Sequence, residues 1–226
     1  MPVRRNRLCG GYVYHVLNRG SRRGLLFETP GDYSSFVGLM GEAQLKFPIR
    51  ILAYCLMPNH FHFVLWPTND SDISRYMGWL TLTHSKRWHF GKETNGQGAV
   101  YQGRFKAIPV QTDGHFLTVC RYVERNALRA RLVGRAEDWR WCSLSQRARD
   151  DARLRLDAWP LSIPSRWGEL VNASTSEAAD HSVHQAVSAN RPFGQLKWAE
   201  REGLAPTPKR AGRPKKQKST PGVGFL

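Results

Sequence analysis

Two β-rich runs, residues 49–57 and 60–66, stand only Pro58-Asn59 apart, and that spacing constrains the fold more than any other feature. Proline–asparagine is turn chemistry, and a two-residue connection joins neighbouring strands as an antiparallel hairpin. Helical periodicity flanks the hairpin on both sides. Residues 30–47 set Tyr33, Phe36, Val37, Met40 and Leu45 near helical spacing behind Pro30, a residue suited to a first helical turn. Ser71 or Asp72 can cap a second helix that runs to about residue 90. Upstream, Tyr12, Tyr14 and Val16 alternate with Val13, His15 and Leu17 until Gly20 breaks the strand. A glycine-rich loop over 91–98 leads to a further strand at 100–110, and Thr112 or Asp113 opens a helix to about Leu132. The order β-α-β-β-α-β-α predicts an α+β, ferredoxin-like core with an antiparallel sheet and helices on one face.

Beyond residue 135 the texture changes, which divides the chain into a core over 1–135, an extension over 136–205 and a tail over 206–226. The extension is expected to pack on or near the core through the tryptophan-bearing segments 138–141 and 159–167. Residues 172–190 are polar and rich in Ala and Ser, and read as loosely ordered or as a short helix; residues 193–203 suit a small amphipathic helix. The tail holds six basic residues and no acidic ones, the composition of a disordered basic segment.

Charge narrows the partner. The chain has 34 Lys and Arg against 18 Asp and Glu, a formal net charge of +16, which points to a polyanion. The longest clean apolar run, 51–57, falls far short of the roughly 20 residues a bilayer needs, so a membrane span is not expected. Arg4, Arg5 and Arg7 are not followed by the apolar stretch of a signal peptide. Cys9, Cys55, Cys120 and Cys142 lie far apart without a C-x-x-C pair, which argues against a zinc knuckle or a disulfide framework. A reducing cytoplasm, where nucleic acid is the abundant polyanion, fits both observations.

Three groups of residues can carry chemistry. His60 and His62 share one face of a strand while Phe61 and Phe63 take the other, so the imidazoles are expected on an open face above a buried aromatic one. At that spacing they can share a divalent metal, or they can be half-buried residues with no ligand role. On the last helix Tyr122 and Asn126 are four apart and share a face, beside a ridge of Arg121, Arg125 and Arg129, while Phe116, Val119, Val123 and Ala127 can face the sheet. Arginines that grip phosphate oxygens next to a phenol suit attack on a phosphodiester; a solvated basic face with a structural tyrosine has the same composition. Gln102, Arg104 and Lys106 alternate on one face of the preceding strand, where they can contact a nucleic-acid backbone or protect a sheet edge.

In combination these stretches resemble the HUH single-strand DNA transposases, in particular the REP-associated tyrosine transposases of the IS200-like group. The resemblance runs through Tyr14-His15-Val16-Leu17-Asn18-Arg19-Gly20, residues 54–65 with Pro58-Asn59-His60-Phe61-His62, Tyr101-Gln102-Gly103-Arg104-Phe105-Lys106 and Arg121-Tyr122-Val123-Glu124-Arg125-Asn126. It covers residues 10–145 in order, 138–141 included, with fainter echoes in 191–194 and Gly212-Arg213-Pro214. The resemblance implies that His60 and His62 bind Mg²⁺ or Mn²⁺, with Asn126 as a third ligand, and that Tyr122 is the catalytic nucleophile. Many relatives read Asn-Pro where this chain has Asn126-Ala127, a departure that removes a kink constraint from the helix.

The implied reaction is metal-dependent cleavage of single-stranded DNA beside a REP-like hairpin, through a 5′-phosphotyrosine and a free 3′-OH, as a step in DNA transposition. Arg19, Gln102, Arg104, Lys106, Arg121, Arg125 and Arg129, with Arg213, Lys215 and Lys216 of the tail, would hold the DNA. A monomer or homodimer associated with the nucleoid in a bacterial cytoplasm is the expected setting. Two other readings fit the same residues: a non-catalytic hairpin-binding protein, and a metal-dependent hydrolase that uses water.

Overall fold

Alternation along the strands sorts side chains into two layers, and the molecule is built around that division. The computed structural model describes residues 8–94, 96–174 and 177–204. Four antiparallel strands, β1 (Val13–Arg19), β2 (Arg50–Met57), β3 (His60–Trp66) and β4 (Lys106–Val110), line up in the order β2–β3–β1–β4. β2 and β3 form the expected hairpin about Pro58-Asn59. Helices α1 (Pro30–Lys46) and α2 (Asp72–Gly91) make the two crossovers, which completes the ferredoxin-like order. α1 begins at Pro30 because Thr29 and Asp32 satisfy each other's backbone N–H groups in a capping box.

One face of the sheet is aromatic. Tyr14, Val16, Tyr54, Leu56, Phe61, Phe63 and Leu65 are buried beneath Phe36 and Met40 of α1 and Tyr76, Met77 and Leu80 of α2. Phe61 stacks on Phe63 with centroids 4.7 Å apart, and Phe36 lies 5.5 Å from Phe61. Burial of each such side chain stabilises the fold by roughly 1.5–3 kcal/mol.

The other face departs from the expectation of an open surface with helices on one side only. It is covered by α3 (Gly114–Glu124) and by the chain that follows. Phe116, Val119, Val123 and Ala127 do face the sheet, as their spacing predicts, and pack on Val13, Leu52, Cys55 and Val64. Asp113 caps α3 by accepting from the His115 N–H. The helix expected to reach Leu132 is interrupted at Arg125 and resumes as a single turn, α4 (Asn126–Arg129). The strand expected over 100–110 is interrupted: Tyr101 bridges Gly20 and Gln102 N–H donates to the Arg19 carbonyl, residues 103–105 leave the ladder, and β4 runs from Lys106. Gly103, with φ +156°, turns the chain out of the extended course, and the Asn18 side chain holds its carbonyl.

After α4 the chain closes both edges of the sheet. Along β2, Leu56 N–H donates to the Trp141 carbonyl and Asp157 N–H to that of Ile51; along β4, Phe193 N–H donates to Pro109 and Gln111 N–H to Phe193. These contacts occupy backbone groups that an edge strand would otherwise leave unpaired. The Trp139 and Trp159 indoles donate to the carbonyls of Leu56 and Leu52. Short helices α5 (Ser143–Ala148) and α6 (Trp167–Asn172) pack over α3 and β2. Within 172–190, read as loosely ordered or a short helix, residues 177–189 take the helical alternative as α7 (Glu177–Ala189), seated by the buried Val183. α8 (Leu196–Arg201) ends the described chain. Glu124, fully buried at the end of α3, accepts from Ser143 Oγ and from Trp167 Nε1 at 2.6 Å, and forms an ion pair with Arg147. This carboxylate ties α3 to both α5 and α6.

Candidate active site

Strand register brings the histidines to one place. β1 pairs with β3 so that Arg19 lies opposite His60 and Leu17 opposite His62, and both imidazoles point to the face that α3 crosses. The His60 and His62 rings are 5.0 Å apart, centroid to centroid. α3 places the Tyr122 ring edge-on to His62 at 5.7 Å and to His15 at 5.8 Å. The Arg129 guanidinium carbon sits 4.2 Å from the Tyr122 ring centroid, a cation–π contact. A cavity of about 640 Å³ opens here, lined by His60, His62, Tyr122 and Asn126 and by Arg19, Gln102, Arg104, Lys106 and Arg129.

Burial keeps the imidazoles neutral. Desolvation pushes the His60 pKa down to about 4, with further lowering from the Arg19 and Arg129 charges. Desolvation also drives His62 well below the usual histidine range, assisted by His15 and His60. Neutral rings carry free lone pairs at physiological pH, the form that binds metals. His60 Nδ1 lies 2.7 Å from Asn59 Oδ1, and His62 Nδ1 lies 2.9 Å from His15 Nε2. The Asn126 side chain, 2% exposed, reaches His60, while its Nδ2 is buried without a hydrogen-bond partner.

Among the described residues, no three His, Cys, Asp or Glu side chains cluster as a metal site. A cation here would rest on two imidazoles, with the Asn126 carboxamide as third donor. That mixed nitrogen–oxygen set, beside an orphaned buried amide, fits a divalent ion that takes its remaining ligands from water and phosphate oxygens.

The three arginines of the last helix do not act as one ridge. Arg121 donates to the Ala173 carbonyl, and Arg125 donates to those of Val171 and Asn172. Their common face is the one α6 occupies, so both guanidiniums cap its carbonyl end and turn away from the cavity. Arg129 follows the interruption at Arg125 and turns to Tyr122 instead. Gln102 and Arg104 reach the cavity rim from a loop rather than from strand alternation. Lys106 reaches it as well, with Nζ bonded to the Val187 carbonyl of α7. Arg213, Lys215 and Lys216 lie outside the described residues.

Sequence reasoning assigned no role to His15, Asn18, Asn59 or Glu124, nor to α7, whose His184 and Ser188 also line the cavity. A signal for His15 was present: it interrupts the apolar series Val13, His15, Leu17 on a face that is otherwise buried. Asn59 was legible only as a turn residue. Beside it, the turn at 21–23 is held close, since a Cβ on Gly20 would fall 2.2 Å from the Gly24 carbonyl oxygen.

The model of the IS200-like transposase family matches residues 10–126, which include every strand and His60, His62, Tyr122 and Asn126 of the cavity. The chain belongs to the IS200-like transposase family. Among solved structures, this transposase is similar to a REP-associated tyrosine transposase bound to a REP hairpin, with a TM-score of 0.53 and 19% sequence identity. The similarity covers 73% of this chain and 94% of that one, and supports the ferredoxin-like core with its crossing helix. A search of curated proteins gives no match. No helix among the described residues is long and apolar enough to cross a membrane.

Proposed function

We propose that this transposase is a single-strand DNA endonuclease and strand transferase that cleaves beside a hairpin, with Tyr122 as nucleophile. The observation that carries the reading is the Tyr122 ring held against His62 and Arg129 in one cavity, below a rim of Arg19, Arg104 and Lys106. The similar hairpin-bound transposase supports the choice of substrate.

In this reading Arg19, Arg104, Lys106 and Arg129 hold phosphate oxygens of the strand and set the scissile phosphorus beside Tyr122. Tyr122 Oη forms a bond to phosphorus and the P–O3′ bond breaks. The 3′-oxygen leaves as a hydroxyl with a proton from solvent, and the phenol proton passes to solvent. The 5′-phosphotyrosine keeps the energy of the phosphodiester, so a 3′-OH can attack it in the reverse sense and release Tyr122. His60, His62 and Asn126 would hold Mg²⁺ or Mn²⁺, which when bound supplies Lewis-acid polarisation of the scissile phosphate. Arg121 and Arg125 serve the DNA indirectly, through the α6 contacts that fix the helix carrying Tyr122. A backbone stacked in a duplex does not fit a recessed cavity, which favours an unpaired segment next to the stem. Residues 1–135 form the catalytic unit in this account, 136–205 brace it, and 206–226 add basic charge. Such a substrate places the protein at the nucleoid in a bacterial cytoplasm.

The test is incubation of the full chain with single-stranded hairpin oligonucleotides and Mn²⁺ or Mg²⁺, followed by denaturing electrophoresis. A denaturation-resistant protein–DNA band that needs the cation is expected. Hairpin binding without cleavage would favour a non-catalytic binding module.

A further inference from the structure

We propose that His15 and Asn59 are positioning residues that fix the tautomers of His62 and His60, so that both rings offer Nε2 to one cation; this rests on the metal-dependent reading above. The argument starts at Asn59. Its Nδ2 donates to the Arg23 carbonyl at 3.2 Å. A carbonyl can only accept, so the amide atom turned to His60 is the oxygen, Oδ1. An oxygen that lies 2.7 Å from His60 Nδ1 requires the proton to be on that nitrogen. His60 Nε2 is then a bare lone pair.

His62 has the same arrangement with a different partner. Its Nδ1 is 2.9 Å from Nε2 of His15, and the two rings are stacked with centroids 5.0 Å apart and planes 28° from parallel. His15 is 1% exposed and sits on β1, diagonal to His62 across the strand pair. Either ring can donate across that contact. If His62 donates from Nδ1, its Nε2 is free in the cavity, matching His60. If His15 donates, His62 must carry its proton on Nε2 and cannot be a ligand. The inference is that His15 accepts, and that its buried, stacked position holds the His62 ring with Nε2 toward His60 and Tyr122. Outer partners of this kind orient metal-bound histidines and raise their basicity.

The free protein tests this without any turnover. Long-range ¹⁵N–¹H correlation spectra of the full chain at neutral pH report the tautomer of each histidine, and Nδ1–H is expected for both His60 and His62. An Nε2–H signal from His62 would overturn the proposal. Mn²⁺ affinity, read by electron paramagnetic resonance of free Mn²⁺, gives the second arm. His15→Phe should weaken Mn²⁺ binding by about 10–100-fold, with hairpin affinity unchanged and a folded circular dichroism spectrum. His15→Gln, which restores an acceptor, should recover most of the loss. Wild-type affinity in a folded His15→Phe protein would reject the positioning role. If the wild type itself binds no Mn²⁺, or His60→Ala binds it unchanged, the metal-dependent reading fails instead.

Discussion

The two faces of strand β3 follow one alternating sequence yet are built for different work. Phe61, Phe63 and Leu65 meet α1 and α2 in an aromatic layer dominated by dispersion and apolar burial. His60 and His62 meet α3, the polar side chains of Asn59, His15 and Asn126, and a cavity. The first face gains stability from burial directly. The second places neutral imidazoles and the Asn126 amide in a poorly solvated space, which is costly unless their polar atoms are paired or a ligand completes them. Glu124 compensates on that side: its contacts to Ser143, Arg147 and Trp167 anchor the helix that carries Tyr122. The difference shows how a small sheet can keep a reactive face beside a structural one.

Substitution on each face should separate the two roles. Phe63→Ala should cost about 3–5 kcal/mol of folding free energy, the usual penalty for removing a large buried aromatic side chain. His60→Ala should cost about 1 kcal/mol or less of stability and remove cation-dependent cleavage. Urea titrations of both variants, paired with cleavage assays, check the contrast. Similar destabilisation by the two changes would erase it.

Glu124→Gln probes the anchor of the reactive face. It leaves Arg147 without its carboxylate and should cost on the order of 3 kcal/mol, because Arg147 retains some contact with water. A fall of roughly 6–12 °C in the melting temperature follows for a chain of this size. Cleavage measured well below that temperature should survive, since Glu124 touches none of the cavity residues proposed to act on DNA.

Much of this contrast is legible in the sequence, and the rest is missing for physical reasons. The hairpin follows from Pro58-Asn59, α1 from its periodicity and caps, and the shared faces of His60 with His62 and of Tyr122 with Asn126 from strand and helix phase. That the two faces meet was implied only by the family resemblance. Phase gives the face of an element but not its neighbour. Arg121 and Arg125 are on the face their spacing dictates, yet that face meets α6, which comes about 45 residues later. The break at Gly103 involves one backbone angle and a bond from Asn18, so alternation read an interrupted run as continuous. The partners of His15 and Asn59 come from strand register and from the turn at 21–23, and neither can be read along one strand.

Acid should expose a further effect, spread over pH, on the aromatic face. His84 is buried among Phe27 and Phe36, with its Nδ1 2.7 Å from the Tyr101 hydroxyl. Burial lowers its pKa to about 4, opposed by the Asp32 carboxylate on α1. Above pH 6.5 the ring is neutral whether the chain is folded or not, and its contribution to stability is fully present. Below 6.5 the unfolded chain takes up a proton that the folded one refuses until about pH 4, so stability is lost across that window as the pH falls. The slope from one such histidine is about 1.4 kcal/mol per pH unit. His84→Gln should remove that increment from the pH dependence of urea unfolding between pH 6.5 and 4, whereas an unchanged slope would show that His84 does not titrate as its burial requires.

The central claim is that Tyr122 joins covalently to DNA, and the direct measurement is mass spectrometry of the trapped product. The full chain is incubated with a 5′-flanked hairpin oligonucleotide and Mn²⁺, quenched in denaturant, digested with nuclease and protease, and the modified peptide is sequenced. The account predicts a nucleotide 5′-phosphate on Tyr122, a free 3′-OH on the released fragment, and no adduct from Tyr122→Phe. An adduct on another residue, or cleavage that leaves a free 5′-phosphate with no protein attached, would contradict it.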